Sequence, residues 1–476
     1  MQLIDIGDLK LSDEKGSRQG KLFNAIRDKI VHNLWPKGGK LPSTRKLATE
    51  LSLGRNTVTS AYEQLVAEGY LESRQGSGFY VAVELPEHYL PAHSTNKKTV
   101  NLASAQDINR PFAPGVPDLA QFPVSKWQKL LQRHASRTVL LGNQDVQGSP
   151  ELRTALSDYL ATSRSVICNP NRIIITSGAQ QALSIALMAV MQKNDSVLME
   201  QPGYTQMRKI IDLLGHQLRP VDVTQPFHEQ LDTILKSDAR ALYITPSNQY
   251  PMGTSLNIEQ RLQLIEWAHS NNRWVIEDDY DSEFQFAHRP YTSLQGLAGQ
   301  MGRDEHVIYI GSFSKTMFNG MRVGYMVVPE SLVSRCLMIK DAITGDSPPH
   351  TQAALTDFIL EGDLIRHIRK MRRLYKSKHQ QMVTSIDTHF GSSVNVISQA
   401  AGLHVTLKWT NGINEKLWVE RAQAIDIIMR PLRYYELEHG PSREWQSVIL
   451  GFGNIALKSI DENIKKLADV FHANSE

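Results

Sequence analysis

The sequence predicts an α/β protein with a mostly parallel sheet, preceded by a small N-terminal domain of three helices and a hairpin. Three observations predict it. Beyond residue 108, five short apolar runs, "RIIIT", "SVLM", "ALYIT", "WVIE" and "VIYIG", each pass into a helical or polar stretch, the alternation that builds parallel sheets buried between helices. Before residue 84, apolar residues recur first at helical spacing and then in two short strand-like runs. The charge balance also differs between these parts. Residues 1–83 carry 12 Lys+Arg against 9 Asp+Glu, whereas residues 84–476 carry 40 against 40, so the basic excess sits in the small domain.

A chain of 476 residues holds two to four domains at roughly 100–200 residues each. Hydrophobic residues at 41% and charged residues at 21% are those of an ordinary globular protein. The opening "MQLIDIGDLKLSDEKG" has neither the apolar core nor the small-residue cleavage site of a signal peptide. No stretch approaches the ~18 apolar residues of a membrane span. The two cysteines, Cys168 and Cys336, lack metal-ligand spacing. A cytoplasmic protein without a disulfide scaffold or membrane contact is the expectation.

In the small domain, residues 10–83, "KLFNAIRDKIVHNLW" places Leu22, Phe23, Ile26, Ile30 and Leu34 on one helical face. Ser43 caps a second helix with an apolar stripe of Leu47, Ala48 and Leu51. The third helix turns Val58, Ala61, Tyr62, Leu65 and Val66 inward and stops at Gly69. "YLESRQGSGFYVAV" then reads as a hairpin about "QGSG". Two short helices, the second opening on polar residues, followed by a hairpin make a winged helix-turn-helix. Arg55, Asn56, Thr57 and Thr59 stand where that motif enters a major groove, with Arg suited to guanine or phosphate and Asn to adenine. Ser43, Thr44 and Arg45 open the preceding helix, whose free N–H groups suit a phosphate. Arg74, Gln75 and Gly76 fall on the wing. Double-stranded operator DNA is the expected partner.

Residues 84–107, with mixed polar residues and no period, read as a linker. The large domain follows over residues 108–476. Ligands of open parallel sheets bind outside the carboxyl ends of the strands, and each of the five runs ends in residues with chemistry. Ser177, Gly178 and Ala179 make a strand-to-helix turn suited to an anion. Asp278 follows "WVIE" and can neutralise a buried cation, while Asp279 and Asp281 read as surface acids. Tyr280 can donate to an anionic oxygen and Tyr204 offers a flat face. Lys315 follows "VIYIG", and a partly desolvated lysine forms an imine with an aldehyde. Pyridoxal 5′-phosphate (PLP) needs such a lysine, an acid beside its pyridine nitrogen, an anion cradle and something against its ring. Lys315 supplies the first and Asp278 the second. The Ser177–Gly178–Ala179 turn with Ser312, Ser314 and Arg322 makes the cradle, and Tyr204 meets the ring, with Tyr280 facing the phenolic oxygen.

"LPSTRKLATELSLGRNTVTSAYEQLVAEGYLESRQGSGFYV" resembles the winged-helix domain of GntR-type bacterial repressors. "GNQDVQGSPELRTAL", "ITSGAQQAL", "QPGY", "TPSNQYPMG", "VIEDDYDSEF" and "SFSKTMFNGMRVGY" are similar, in order and spacing, to the fold-type I aminotransferases. Joined, the two resemble the MocR/GabR subfamily of regulators. That resemblance implies a PLP-dependent transcriptional regulator, a head-to-tail homodimer, that responds to PLP, an amine or an amino acid; a working aminotransferase with a DNA-binding domain is the alternative. The family's asparagine near the phenolic oxygen is replaced by Tyr250, and the regulators' histidine by Asn248. The family's carboxylate-binding arginine has no counterpart in "VILGFG", which leaves Arg430, Arg433 and Arg443 as candidates. A sensor without efficient turnover is therefore expected.

Overall fold

The computed structural model describes residues 4–7, 9, 11, 16–84, 110–287, 291–438 and 443–473. Apart from Glu84, the expected linker lies outside the described residues. The chain divides into two compact units, Met1–Ala103 and Ser104–Glu476.

In the first unit, helices α1 (Arg18–Val31), α2 (Thr44–Glu50) and α3 (Arg55–Ala67) precede strands β1 (Leu71–Arg74) and β2 (Gly78–Val81). The hydroxyls of Ser17 and Ser43 cap α1 and α2 by accepting from the Gly20 and Lys46 amides. Leu34 does not share the buried face of α1, as its spacing predicts, and is 61% exposed. The helix stops at Val31, Asn33 turns left-handed at φ +53, and Trp35 enters the core in place of Leu34. The buried Tyr62 hydroxyl donates to the Pro42 carbonyl at 3.1 Å, which fixes α3 against the start of α2. β1 and β2 pair in the register Leu71↔Val81 to Arg74↔Gly78, and Gly76 at φ +70 makes the turn.

The second unit holds a seven-stranded sheet of β3 (Ile173–Thr176), β4 (Ser196–Gln201), β5 (Gln217–Asp222), β6 (Ala241–Ile244), β7 (Trp274–Asp279), β8 (Val307–Ser312) and β9 (Gly324–Val327), in the order β3-β9-β8-β7-β6-β4-β5. Pairs among β4 to β8 are parallel, and β9 runs antiparallel to both β3 and β8. The five apolar runs became β3, β4, β6, β7 and β8. β5 escapes the sequence pattern because, as the edge strand, its "QLRPVD" is mostly half-buried or exposed.

A second, antiparallel sheet orders β10 (Asn395–Val396), β11 (His404–Trp409), β12 (Arg430–Pro431) and β13 (Gln446–Gly451) as β10-β11-β13-β12. Trp409, Trp418, Phe390 and Phe471 fill its core with the long helix Asp363–Phe390. No helix among the described residues is long and apolar enough to cross a membrane.

Candidate functional site

The carboxyl ends of β7 and β8 open on a cavity of about 290 Å³. Ala179, Tyr204, Asp278, Tyr280, Ser312, Ser314, Lys315 and Arg322 all line it. Ser177 and Gly178 stand directly behind Arg322, whose Nη2 donates to the Ser177 carbonyl at 3.0 Å and to Gln180 Oε1 at 3.3 Å. Gly178 precedes the helix Ala179–Val190 at φ +85, where a Cβ would stand 3.2 Å from the guanidinium. The free N–H groups of that helix start therefore face the same space as Arg322. A Gly178→Ala variant is expected to displace Arg322 and weaken phosphate binding at least tenfold. Isothermal titration with PLP measures it, and an unchanged affinity would separate this turn from the anion.

Strand periodicity explains the acids. Side chains alternate faces along β7, so Asp278 faces the cavity while Glu277 and Asp279 point away from it. The Glu277 carboxylate accepts from the Leu294 and Gln295 amides at 2.8 Å each. Asp279 Oδ2 accepts from Arg164 Nε and the Tyr309 hydroxyl, each at 2.6 Å. Asp279 and Asp281 are thus not surface acids, as the run of charge suggested; they are 6% and 2% exposed. What conceals this in the sequence is that the compensating arginine, Arg164, lies 115 residues away.

The Tyr243 hydroxyl donates to Asp278 Oδ2 at 2.8 Å, while Asp278 Oδ1 is buried and without a partner. Burial pushes the Asp278 carboxyl up to about 7, and the Tyr243 hydrogen bond opposes the rise. Burial pushes the Lys315 amine below its ordinary value, against the pull of Asp281 and Asp278. The Lys315 ammonium donates to the Gly115 carbonyl.

Tyr250 lines the cavity, as its place in the asparagine's position implied, but several lining residues were not anticipated: Pro114, Gly115, Gln180, Asn319, Leu403 and His404, together with Asp281. Tyr243, under Asp278, carried a usable signal, a polar tip within the buried run "ALYIT". Gly115 and His404 come from segments without any such pattern. Tyr280 lines the cavity, but its hydroxyl donates to the Asn248 carbonyl at 2.9 Å. Asn248 Nδ2 donates to Asp281 Oδ1 at 2.9 Å, and the Tyr250 and Tyr435 hydroxyls are 2.8 Å apart.

Of the three candidate arginines, Arg443 is held by Glu415 and Glu436. Arg430 lines a separate hollow of about 330 Å³ that shares Pro114, Tyr204 and Tyr250 with the cavity. Arg433 lines neither. Among the described residues, Arg322 is the single arginine in the cavity wall.

In the first unit, Ser43, Arg45, Arg55, Asn56, Arg74 and Gly76 are exposed, and Thr44, Thr57 and Thr59 are half-buried. The Ser43 hydroxyl is engaged as a cap, and that of Thr59 donates to the Arg55 carbonyl at 3.0 Å. Arg74 lies 4.3 Å from the Tyr80 ring centroid, and its Nε donates to Glu72 Oε1 at 2.8 Å.

The fold and sites define a helix-turn-helix transcriptional regulator built on an aminotransferase fold. Residues 18–81 match the model of bacterial regulatory proteins of the gntR family, and residues 112–448 match aminotransferase class I and II. The chain belongs to the MocR/GabR-type regulators that join these two domains. It is 34% identical over 469 residues to the probable rhizopine catabolism regulatory protein MocR of Rhizobium meliloti, covering 95% of this chain and 93% of that protein. It is 31% identical over 388 residues to the pyridoxine biosynthesis transcriptional regulator PdxR of Corynebacterium glutamicum, covering 81% and 82%. Among solved structures, LysN, the α-aminoadipate aminotransferase of Thermus thermophilus, shares the fold with a TM-score of 0.70. At 23% identity the match covers 77% of this chain and 92% of that one.

Proposed function

We propose that the protein regulates transcription through a PLP-bearing cavity that senses PLP itself or an amine or amino acid. The observation that carries this reading is the convergence of Lys315, Asp278 and Arg322 on one cavity, with a buried, unpartnered Asp278 oxygen inside it. That oxygen suits a pyridinium N–H, and the glycine-opened cradle beside Arg322 suits a phosphate. When bound, the cofactor would supply an aldehyde that condenses with primary amines and a ring that withdraws electrons.

The chain's own residues do the rest. Arg322, Ser312, Ser314 and the start of the helix Ala179–Val190 would hold the phosphate. Asp278, steadied by Tyr243, would hold a proton at the ring nitrogen. Tyr204 would lie against the ring, and Tyr280 would approach the phenolic oxygen from its place against the Asn248 carbonyl. Burial favours the neutral, nucleophilic amine of Lys315. Lys315 is the residue that would hold the cofactor's aldehyde, and an effector amine would have to share the cavity with it. A Lys315 amine left free there stands near Asp281 and Asp278, which favour its protonated form. This change could reach the DNA only by favouring one of two conformations.

Among the described residues the cavity wall offers no second arginine for a substrate carboxylate, which supports a sensor over a turning-over aminotransferase. Exposed Val124, Val139, Leu141 and Leu360 support pairing with a second copy, as a homodimer, which sedimentation would test.

Borohydride reduction of the protein with PLP, followed by peptide mass mapping, tests the reading. A modification fixed on Lys315 is expected; modification elsewhere would overturn it. Sustained turnover of an amino acid with a keto acid would establish the enzyme instead. At the other end of the chain, Arg55→Ala is expected to weaken binding to a selected duplex about tenfold or more, one bidentate contact being worth ~1–3 kcal/mol. The cofactor spectrum should be unchanged, and unaltered DNA affinity would remove Arg55 from the reader.

A further inference from the structure

The long helix Asp363–Phe390 carries Arg366, Arg369, Lys370, Arg372, Arg373, Lys376 and Lys378, with no acid between Asp363 and Asp387. Three of these cations serve the fold. Arg366 pairs with Asp363, Arg372 Nε donates to the Glu283 carbonyl at 2.7 Å, and Lys378 pairs with Asp118 at 2.8 Å. Arg369, Lys370, Arg373 and Lys376 are exposed. Their spacings of three and four put them on one helical face. That face lies opposite Leu364, Ile368, Met371 and Tyr375, which are buried.

Among the described residues, no carboxylate stands within ion-pair distance of these four side chains. Their nearest bonds are to neutral carbonyls, Lys370 to Gln121 at 3.3 Å and Arg373 to Arg369 at 3.4 Å. An ordinary solvated helix face intersperses both signs, because like charges at these spacings destabilise a helix. Residues 84–476 are charge-balanced overall, so this stripe does not follow from composition.

We propose that this face of the long helix is a second DNA-contacting surface, taking the phosphate backbone of double-stranded DNA without reading its sequence. The proposal rests on the DNA-binding reading of the first unit. Arg369 to Lys376 spans ~10 Å of helix, along which a duplex presents about six phosphate charges. Charge complementarity therefore commits the stripe to a polyanion, and the chain already belongs to a family of DNA-binding regulators.

The test uses the full chain and a 60-base-pair duplex of arbitrary sequence, an experimental length chosen to exceed several helical turns of ~10 base pairs. The combined R369Q, K370Q, R373Q and K376Q variant is compared with K193Q, K209Q, K416Q and K458Q, an equal charge change at other exposed lysines. If the four contacts form, the slope of log affinity against log salt becomes shallower by about 3.6, or about 0.9 for each contact, in the first variant. The control leaves it nearer the wild-type value. Equal slopes in the two variants would overturn the proposal. Arg55→Ala keeps the two readings apart: loss of sequence preference there, with no effect of the stripe variant, would keep the reader and discard the stripe. Independently, Arg373→Cys bearing a photo-crosslinker should label DNA. Labelling only a second copy of the protein would assign this face to self-association and overturn the proposal.

Discussion

Replacing Lys315 with alanine is expected to abolish the covalent cofactor link completely while leaving the chain folded. The Lys315 amine lines the cavity, reaches the Gly115 carbonyl and is pushed below its ordinary value by burial. Among the described residues no other lysine lines that cavity, so no substitute amine stands ready. The imine band of PLP-loaded protein should be lost from the variant, leaving only the absorbance of the free aldehyde, and borohydride should fix nothing in its peptides. Non-covalent PLP should still bind through Arg322 and Asp278 and wash out on dialysis. A band that persists, fixed to another lysine, would move the site.

Arg164→Ala is expected to cost the larger unit about 3–5 kcal/mol, the usual loss when one partner of a buried ion pair is removed. The side chains of Arg164 and Asp279 are 0% and 2% exposed. Arg164 also donates from Nη2 to the Ser247 hydroxyl at 2.8 Å. Burial works against the arginine's charge, and the carboxylate beside it more than restores it, holding the guanidinium above its ordinary range. Without Arg164, an uncompensated Asp279 sits next in sequence to Asp278, whose carboxyl would be driven higher. The PLP spectrum should therefore weaken along with the urea midpoint. A combined Arg164→Met and Asp279→Leu variant should recover much of the stability, because it buries no orphan charge. A cost below about 1 kcal/mol for the single variant would show that the pair contributes little.

The sequence exposed those parts of the fold where burial leaves an unmixed pattern. β3, β4, β6, β7 and β8 are buried on both faces and so read as apolar runs, and Ala179, Tyr204, Asp278 and Lys315, at or just past the ends of β3, β4, β7 and β8, line one cavity. β5 at the edge left no comparable run, and in the antiparallel sheet only β13, with its "VILG", left one. Long-range compensation was equally hidden. Asp279 and Asp281 looked like solvated acids because Arg164 and Asn248 are distant in the chain. Leu34 fitted a helical spacing, but the helix ends before it, at Val31. The stripe on the long helix was present in the sequence as "RKMRRLYKSK", but only its burial pattern separates the four outward cations from those the fold consumes.

Control of DNA binding by events at Lys315 is the expectation that follows from the cavity. It is tested most directly by measuring affinity for a duplex selected by the protein from a random pool, with and without saturating PLP, in wild-type protein and in Lys315→Ala. PLP is expected to change the wild-type affinity severalfold and to leave the variant's affinity where it was. A PLP effect that is equal in both proteins, or absent from both, would contradict it.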